Sequence, residues 1–346
     1  MRTFKKVLIS VLCLLCCIAI LSTIIIAPLC IKEGAYYFDR TLRRDLAGSI
    51  DTIFLGASHA LCAFKPEIID ETLGCNSYNL SAANLSANGK KHLLDKELAR
   101  NPVKTVYLEV SYNTLVRNVM KEYGDGDTTT VARLDSVWEA FGYMFRYIKV
   151  ENWMNIYSRF LVRGLAFWKT FPFKNAANAV DREAKGFWSK DPVDLTVTEE
   201  EREAIHCSVP LDIDFIGSEV DALLHQIESS HQAGAEVVVV VTPVSDRLLW
   251  QEYGWDDFRT KLETFSEENG CTFYDFNLLK DRYSLFHDNE SFFELGHMSK
   301  VGADVFSRVF ADFIKQVEAG EDVSGLFYDT YAEMLEDSPY MQPSDS

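Results

Sequence analysis

The chain has 346 residues, 47% of them hydrophobic, which suffices for one large core or a core with a sizeable insertion and sets it apart from disordered chains. Its formal net charge of −18, from 34 Lys and Arg against 52 Asp and Glu, argues against a phosphate-backbone binder, since nucleic-acid affinity needs clustered cations that displace counterions. Nucleic acid is therefore not an expected partner.

In chain order, Met1-Arg-Thr-Phe-Lys-Lys6 leads into an uncharged run over 7–31 that is long enough to cross a hydrocarbon layer of about 30 Å. The run is longer than the apolar core of a cleaved signal peptide, lacks an A-x-A-like site, and ends in the poor lipobox Ala27-Pro-Leu-Cys30. Residues 1–31 are accordingly expected to be an uncleaved signal-anchor transmembrane helix and 32–50 a membrane-proximal linker. Arg2, Lys5 and Lys6 on one side face Lys32, Arg40, Arg43 and Arg44 on the other, so cation counting leaves the orientation open. The expectation is a single-pass membrane protein with its globular part extracytoplasmic. Of eight cysteines, Cys62, Cys75, Cys207 and Cys271 lie outside the anchor region. They form no C-x-x-C pair, so zinc is not indicated; Cys62 with Cys75 is the nearest candidate disulfide, and buried free thiols fit equally.

Beyond the linker, short β-rich runs at 52–55, 77–80, 105–110, 236–242 and 272–274 interleave with helical patterns at 65–72, 84–100, 218–233, 255–269 and 300–317. The run Val237-Val-Val-Val-Val241 suits a central parallel strand covered on both faces. This rhythm predicts an α/β fold: a doubly wound, mostly parallel, five-stranded, flavodoxin-like sheet over 51–317. An aromatic stretch over about 114–210 (Trp138, Phe141, Tyr143, Phe145, Tyr147, Trp153, Tyr157, Phe160, Phe167, Trp168, Phe171, Phe173) breaks it. Charges recur through that stretch, so it reads as an insertion of amphipathic helices that adds core, in preference to a lid or membrane-surface contact. Residues 318–346 form an acidic tail, with a short helix before a frayed end.

The chemistry concentrates at the two ends of the domain. The strand 52–55 runs into Gly56-Ala57-Ser58-His59, a turn that presents a serine at a strand's carboxyl end. Serine is a poor nucleophile until a base takes its proton and a third group orients that base. Glu294-Leu-Gly-His297, followed by Gly302, supplies an imidazole with a carboxylate three residues before it. Ser58 is thus the candidate nucleophile, His297 the general acid/base and Glu294 its orienting partner, with Asp288 in reserve. Taken alone, Ser58 would read as a plain helix-capping turn serine. Turns after the second and third strands, at Asn79-Leu80-Ser81 and Ser111-Tyr112-Asn113, bring candidate oxyanion donors to the same sheet edge: the amides of Ser58 and Ser81 and the side chain of Asn113. His59 reads as a structural or substrate-contacting neighbour.

This order of parts resembles the SGNH or GDSL hydrolase superfamily over 52–312. Gly56-Ala57-Ser58 looks like its G-D-S block, Asn79-Leu80-Ser81 its second block, Ser111-Tyr112-Asn113 its G-x-N block, and 237–243 its fourth-strand segment. Glu294-Leu-Gly-His297 with Gly302-Ala303 is similar to the closing D-x-x-H block. Ala57, Ser81, Ser111 and Glu294 depart from the family pattern. The single anchor and the Gly-x-Ser-His start look closest to the membrane-linked branch that includes alginate O-acetylation and teichoic acid D-alanyl transfer proteins. The resemblance implies a membrane-anchored serine esterase or O-acyltransferase acting on acyl esters of a cell-envelope glycan, with a membrane acyl-donor protein as a possible partner. The chemistry requires no metal or organic cofactor. The alternative is a non-catalytic SGNH-fold scaffold or glycan-binding protein.

Overall fold

The computed structural model describes residues 2–32, 34–116, 125–154, 156, 158, 184–211 and 213–339, with the side chains of residues 2, 3, 19, 22–38, 113, 125, 137 and 199 outside the description. The chain divides into two compact units, Met1–Asp45 with Gly124–Asp181, and Leu46–Tyr123 with Arg182–Ser346.

The second unit holds strands β1 (Thr52–Leu55), β2 (Ser77–Asn79), β3 (Thr105–Glu109), β4 (Val209–Pro210), β5 (Glu236–Val241), β6 (Glu252–Tyr253), β7 (Thr272–Asp275), β8 (Phe292–Glu294) and β9 (His297–Met298). The main sheet runs β2-β1-β3-β5-β7, every neighbouring pair parallel. That is the doubly wound α/β order, in which ligands bind beyond the carboxyl ends of the strands. The valine run of β5 is buried from Val237 to Val241, as a central strand covered on both faces requires. β4 pairs with β6, and β8 pairs with β9 as an antiparallel hairpin that the sequence pattern did not announce.

Helices α3 (Ser58–Ala63), α4 (Pro66–Leu73), α5 (Ala87–Arg100), α6 (Tyr112–Leu115), α9 (Glu199–Ile205), α10 (Gly217–Gln232), α11 (Asp246–Gln251), α12 (Trp255–Glu268), α13 (Arg282–Leu285), α14 (Lys300–Glu318) and α15 (Tyr331–Glu336) belong to this unit. Their starts follow local chemistry: Ser86 caps α5, Ser245 caps α11 and Ser299 caps α14, each hydroxyl accepting an amide of the first turn, while Pro66 opens α4. The core lies between sheet and helices, where Phe54 of β1 stacks on Phe64 at 4.4 Å and on Tyr107 of β3 at 5.1 Å, with Phe310 of α14 edge-on to all three. Tyr331 of the tail is buried and its hydroxyl donates to Asp275 at 2.7 Å, which fastens α15 to the end of β7.

The first unit holds α1 (Arg2–Lys32), α2 (Gly34–Asp45), α7 (Asp125–Arg133) and α8 (Val137–Tyr147). Arg43 and Arg133 converge on Asp39, and Arg43 also donates to the carbonyl of Arg133, a cation satisfying a helix's terminal acceptor. Among the described residues, no helix is long and apolar enough to cross a membrane. The side chains of 22–31, part of the expected anchor, lie outside the description. In the aromatic insertion Tyr143 is buried as expected of added core, whereas Trp138 and Phe145 are exposed. Tyr157, Phe160, Phe167, Trp168, Phe171 and Phe173 lie outside the described residues, as does the tail from 340.

Cys62 and Cys75 are free thiols, so the candidate disulfide is not formed. Cys75 instead donates to Asp70 at 3.3 Å, and burial pushes the Cys62 thiol up to about 12, as befits an inert packed cysteine.

Candidate active site

Ser58 is the first residue of α3, immediately beyond β1, so its position is set by the buried centre of the sheet. Gly56 is required here by close approach: a Cβ would lie 2.6 Å from Glu109 Oε2 and 2.7 Å from Ala60 Cβ. The other end of α3 is tied down by Asn79 of β2, whose Nδ2 donates to the carbonyls of Ala60 and Phe64, each at 2.9 Å. Two buried terminal acceptors of a short helix are thereby satisfied.

His297 arrives from the β8–β9 hairpin. Glu294 and His297 are cross-strand partners flanking the turn Leu295-Gly296, which sets carboxylate and imidazole side by side. Gly296 permits the turn to lie on the buried ring of His59; a Cβ there would come within 2.7 Å of His59 Cε1. The carbonyl of Leu295 accepts the amide of Ser245 at 2.9 Å, and Phe293 stacks on the His297 ring with centroids 5.5 Å apart. Behind the hairpin, Gly302 of α14 packs directly on the carbonyl of Ser291, where any Cβ would collide, and the Ser299 hydroxyl donates to the carbonyl of Glu290.

These two seats bring the three residues together. His297 Nε2 lies 2.7 Å from Ser58 Oγ, and His297 Nδ1 lies 3.1 Å from Glu294 Oε2. A carboxylate on Nδ1 selects the tautomer in which Nε2 can accept the serine proton. Burial lowers the His297 pKa below the ordinary 6.5 although Glu294 works in the opposite direction, so the imidazole is in its basic form at neutral pH. The adjacent His59 is lowered to about 3 by burial and by the neighbouring His297. It stays neutral, packing with its ring centroid 4.7 Å from that of His297.

The remaining candidates are placed otherwise. Ser81 is buried and its amide donates to Asn79 Oδ1 at 3.2 Å, so that donor is engaged within its own turn. Asn113 falls in α6, with its side chain outside the description. Asp288 accepts the amides of Asp246 and Arg247, both at 2.9 Å, at the start of α11; Glu294 is the carboxylate on His297. Among the described residues, no three His, Cys, Asp or Glu side chains gather as a metal site would require.

Three neighbours escaped the sequence reading. Trp188 and Lys190, from the far end of the 114–210 stretch, reach the hairpin: Trp188 meets Phe293 edge-on, and the Lys190 ammonium lies 4.8 Å from the Phe293 ring centroid and 3.9 Å from Glu294. No local signal in the sequence marks them. Glu109, under the Ser58 turn, was legible as a charge inside an apolar strand. A cavity of about 540 Å³ opens elsewhere, beside β7, and is lined by Arg259, Tyr274 and Tyr328 and none of the three site residues.

No family model matches the chain. No curated protein matches it either. Among solved structures, it is similar to a candidate acylhydrolase from Bacteroides fragilis (8% identity, 83% of this chain and 99% of that one, TM-score 0.37). It is also similar to protein YXIM of Bacillus subtilis (12% identity, 80% of this chain, TM-score 0.36), of which it spans only 58%. A third is a candidate platelet activating factor from Streptococcus pneumoniae (13% identity, 81% and 90%, TM-score 0.39). Such likeness is too distant to bear on function.

Proposed function

We propose that the chain is a serine esterase or O-acyltransferase in which Ser58 is the nucleophile, His297 the general acid/base and Glu294 the group that orients it. The observation that carries this reading is the 2.7 Å approach of His297 Nε2 to Ser58 Oγ with Glu294 on the opposite ring nitrogen. In the first half-reaction Ser58 Oγ attacks the ester carbonyl carbon while its proton passes to His297 Nε2; the C–O bond to the leaving group then breaks and the departing oxygen takes that proton. In the second, water or a sugar hydroxyl attacks the acyl carbon while its proton passes to His297; the acyl C–Oγ bond then breaks and His297 returns the proton to Ser58 Oγ. The Ser58 amide, at the start of α3, is the oxyanion donor best supported by its position; Asn113 remains a candidate donor for the same charge.

The substrate class, an acyl ester of a cell-envelope glycan, rests on the resemblance of the sequence motifs. Anchoring rests on the uncharged run over 7–31, preceded by Arg2, Lys5 and Lys6. The orientation adopted is an inside N-terminus with an extracytoplasmic globular part, as the likeness of the motifs to the membrane-linked branch implies, with a membrane acyl donor as the partner. The test is to supply the full chain with an acetyl ester and a glycan acceptor: acetylated glycan is expected, and free acetate alone makes it an esterase. Turnover unaffected by Ser58→Ala would overturn both labels. The engagement of the Ser81 amide by Asn79 favours a second reading, a scaffold that binds glycan without turnover; glycan binding with no acyl chemistry is its signature.

A further inference from the structure

Glu109 ends β3 directly beneath the Gly56–Ser58 turn. It is almost wholly buried, and neither carboxylate oxygen has a hydrogen-bond partner within ordinary limits. A charged residue in such a place is expensive unless the fold uses it. What surrounds it shows the use. Oε2 lies so close under the turn that only glycine fits at position 56. The amides of Ala57 and Ala60, the N-cap and third residue of α3, favour the ionised carboxylate without bonding either oxygen within ordinary limits, and Ala57 itself offers no side-chain cap. The Ser111 hydroxyl of the loop after β3 also faces it. On the other side a cavity of about 10 Å³ is lined by Lys90 of α5, Thr114 of α6, and Glu219 and Gln226 of α10. Lys90 is itself paired with Glu219 at 3.4 Å, and the buried Cys62 of α3 is the further titratable group that feels the carboxylate.

We propose that Glu109 is a positioning residue for the nucleophile: its ionised carboxylate holds the amides of Ala57 and Ala60 from below, supplying from β3 the cap that Ala57 lacks, and so fixes Ser58 against His297. The inference builds on the reading of Ser58 as nucleophile. Its consequence is a site whose geometry responds to pH near neutrality, because burial pushes Glu109 up to about 7, against the opposing pull of Lys90, the two amides and Ser111. Below that pH the carboxyl is protonated and its hold on the amides weakens.

The experiment follows two readouts on the full chain in detergent micelles. In ¹⁵N-alanine-labelled protein the Ala57 and Ala60 amide resonances should titrate together with a midpoint near 7, and Glu109→Gln should abolish that titration. Lys90→Met, which leaves the carboxyl in place but removes the nearest cation, should move the midpoint upward; it serves as the test if the Gln variant fails to fold. The second readout is the rate of fluorophosphonate labelling at Ser58. In wild type it should rise through about pH 7; in Glu109→Gln that limb should be missing, leaving labelling about tenfold slower at alkaline pH and a remaining limb from His297 below 6.5. Alanine amides that do not titrate near 7, or that titrate unchanged in Glu109→Gln, overturn the inference. So does a Ser58 labelling profile that the Gln variant leaves intact. Absent or Ser58-independent labelling defeats the reading of Ser58 instead, and the alanine resonances still decide the role of Glu109.

Discussion

The nucleophile and its base sit on supports of very different build. Ser58 follows β1, which is buried over its whole length and flanked by β2 and β3 in a parallel sheet, and α3 is tied to β2 by Asn79. His297 opens a two-residue strand, β9, in a hairpin whose other arm has three residues, and Glu294 is 56% exposed. One seat is fixed by sheet hydrogen bonds, the other by packing: Phe293 on one side of the imidazole, His59 beside it, and Gly302 against Ser291 behind. Short elements with few sheet bonds open at lower free energy than central strands. The difference teaches that the Ser58–His297 distance is controlled mainly from the hairpin side, and that perturbations there should act on activity before they act on the fold.

Four substitutions put that contrast at risk. Ser58→Ala and His297→Ala should each remove about 10⁴-fold or more of ester turnover, since a triad fails as a unit. Equal losses with unchanged circular dichroism are expected; a surviving rate in either contradicts the pairing. Glu294→Gln should cost less, about 10- to 100-fold, because its carboxylate is half in water. Its pH profile carries the sharper sign. Glu294 raises the His297 pKa, so its removal should move the acid limb of activity, already below 6.5, to still lower pH. An upward move would show that Glu294 is not electrostatically linked to the imidazole. Gly302→Ala should destabilise by about 1–3 kcal/mol through a clash with the Ser291 carbonyl, and amide exchange should quicken at 292–298 before it does in β1. Uniform acceleration across β1 and β9 would erase the distinction between the seats.

The smallest effect is on stability against pH. His59 has its folded pKa pulled from 6.5 to about 3, so the unfolded chain binds the proton more tightly between those values. Its contribution is intact above 6.5 and is lost as pH falls toward 3, at no more than about 1.4 kcal/mol per pH unit. His59→Phe should flatten that decline in the melting temperature, and an identical slope in the variant would mean that His59 is wetter than its burial indicates.

The same contrast governs what could be read from the sequence. The main strands and helices were legible to within a few residues, because β-branched runs bounded by turn residues, such as 236–241, and periodic patterns such as 300–318 have enough length to show a period. The hairpin was not: Phe292–Glu294 and His297–Met298 are too short for alternation to register, so the segment read only as a turn before a helix. Ser58, Glu294 and His297 could nevertheless be nominated by residue type and spacing. The engagement of the Ser81 amide by Asn79, two residues earlier, was not legible from the pattern of that short segment. The free Cys62 and Cys75 show that nearness in sequence does not make a disulfide. Trp188 and Lys190 reach the hairpin through a long-range path of the chain that no local pattern encodes.

The decisive measurement is fluorophosphonate labelling of the full chain, with the modified residue located by mass spectrometry, in wild type, Ser58→Ala and His297→Ala. An adduct on Ser58 in wild type, lost in both folded variants, is the predicted result. A folded wild type that takes no adduct, or an adduct on Ser58 that persists without His297, would contradict an activated serine in this protein.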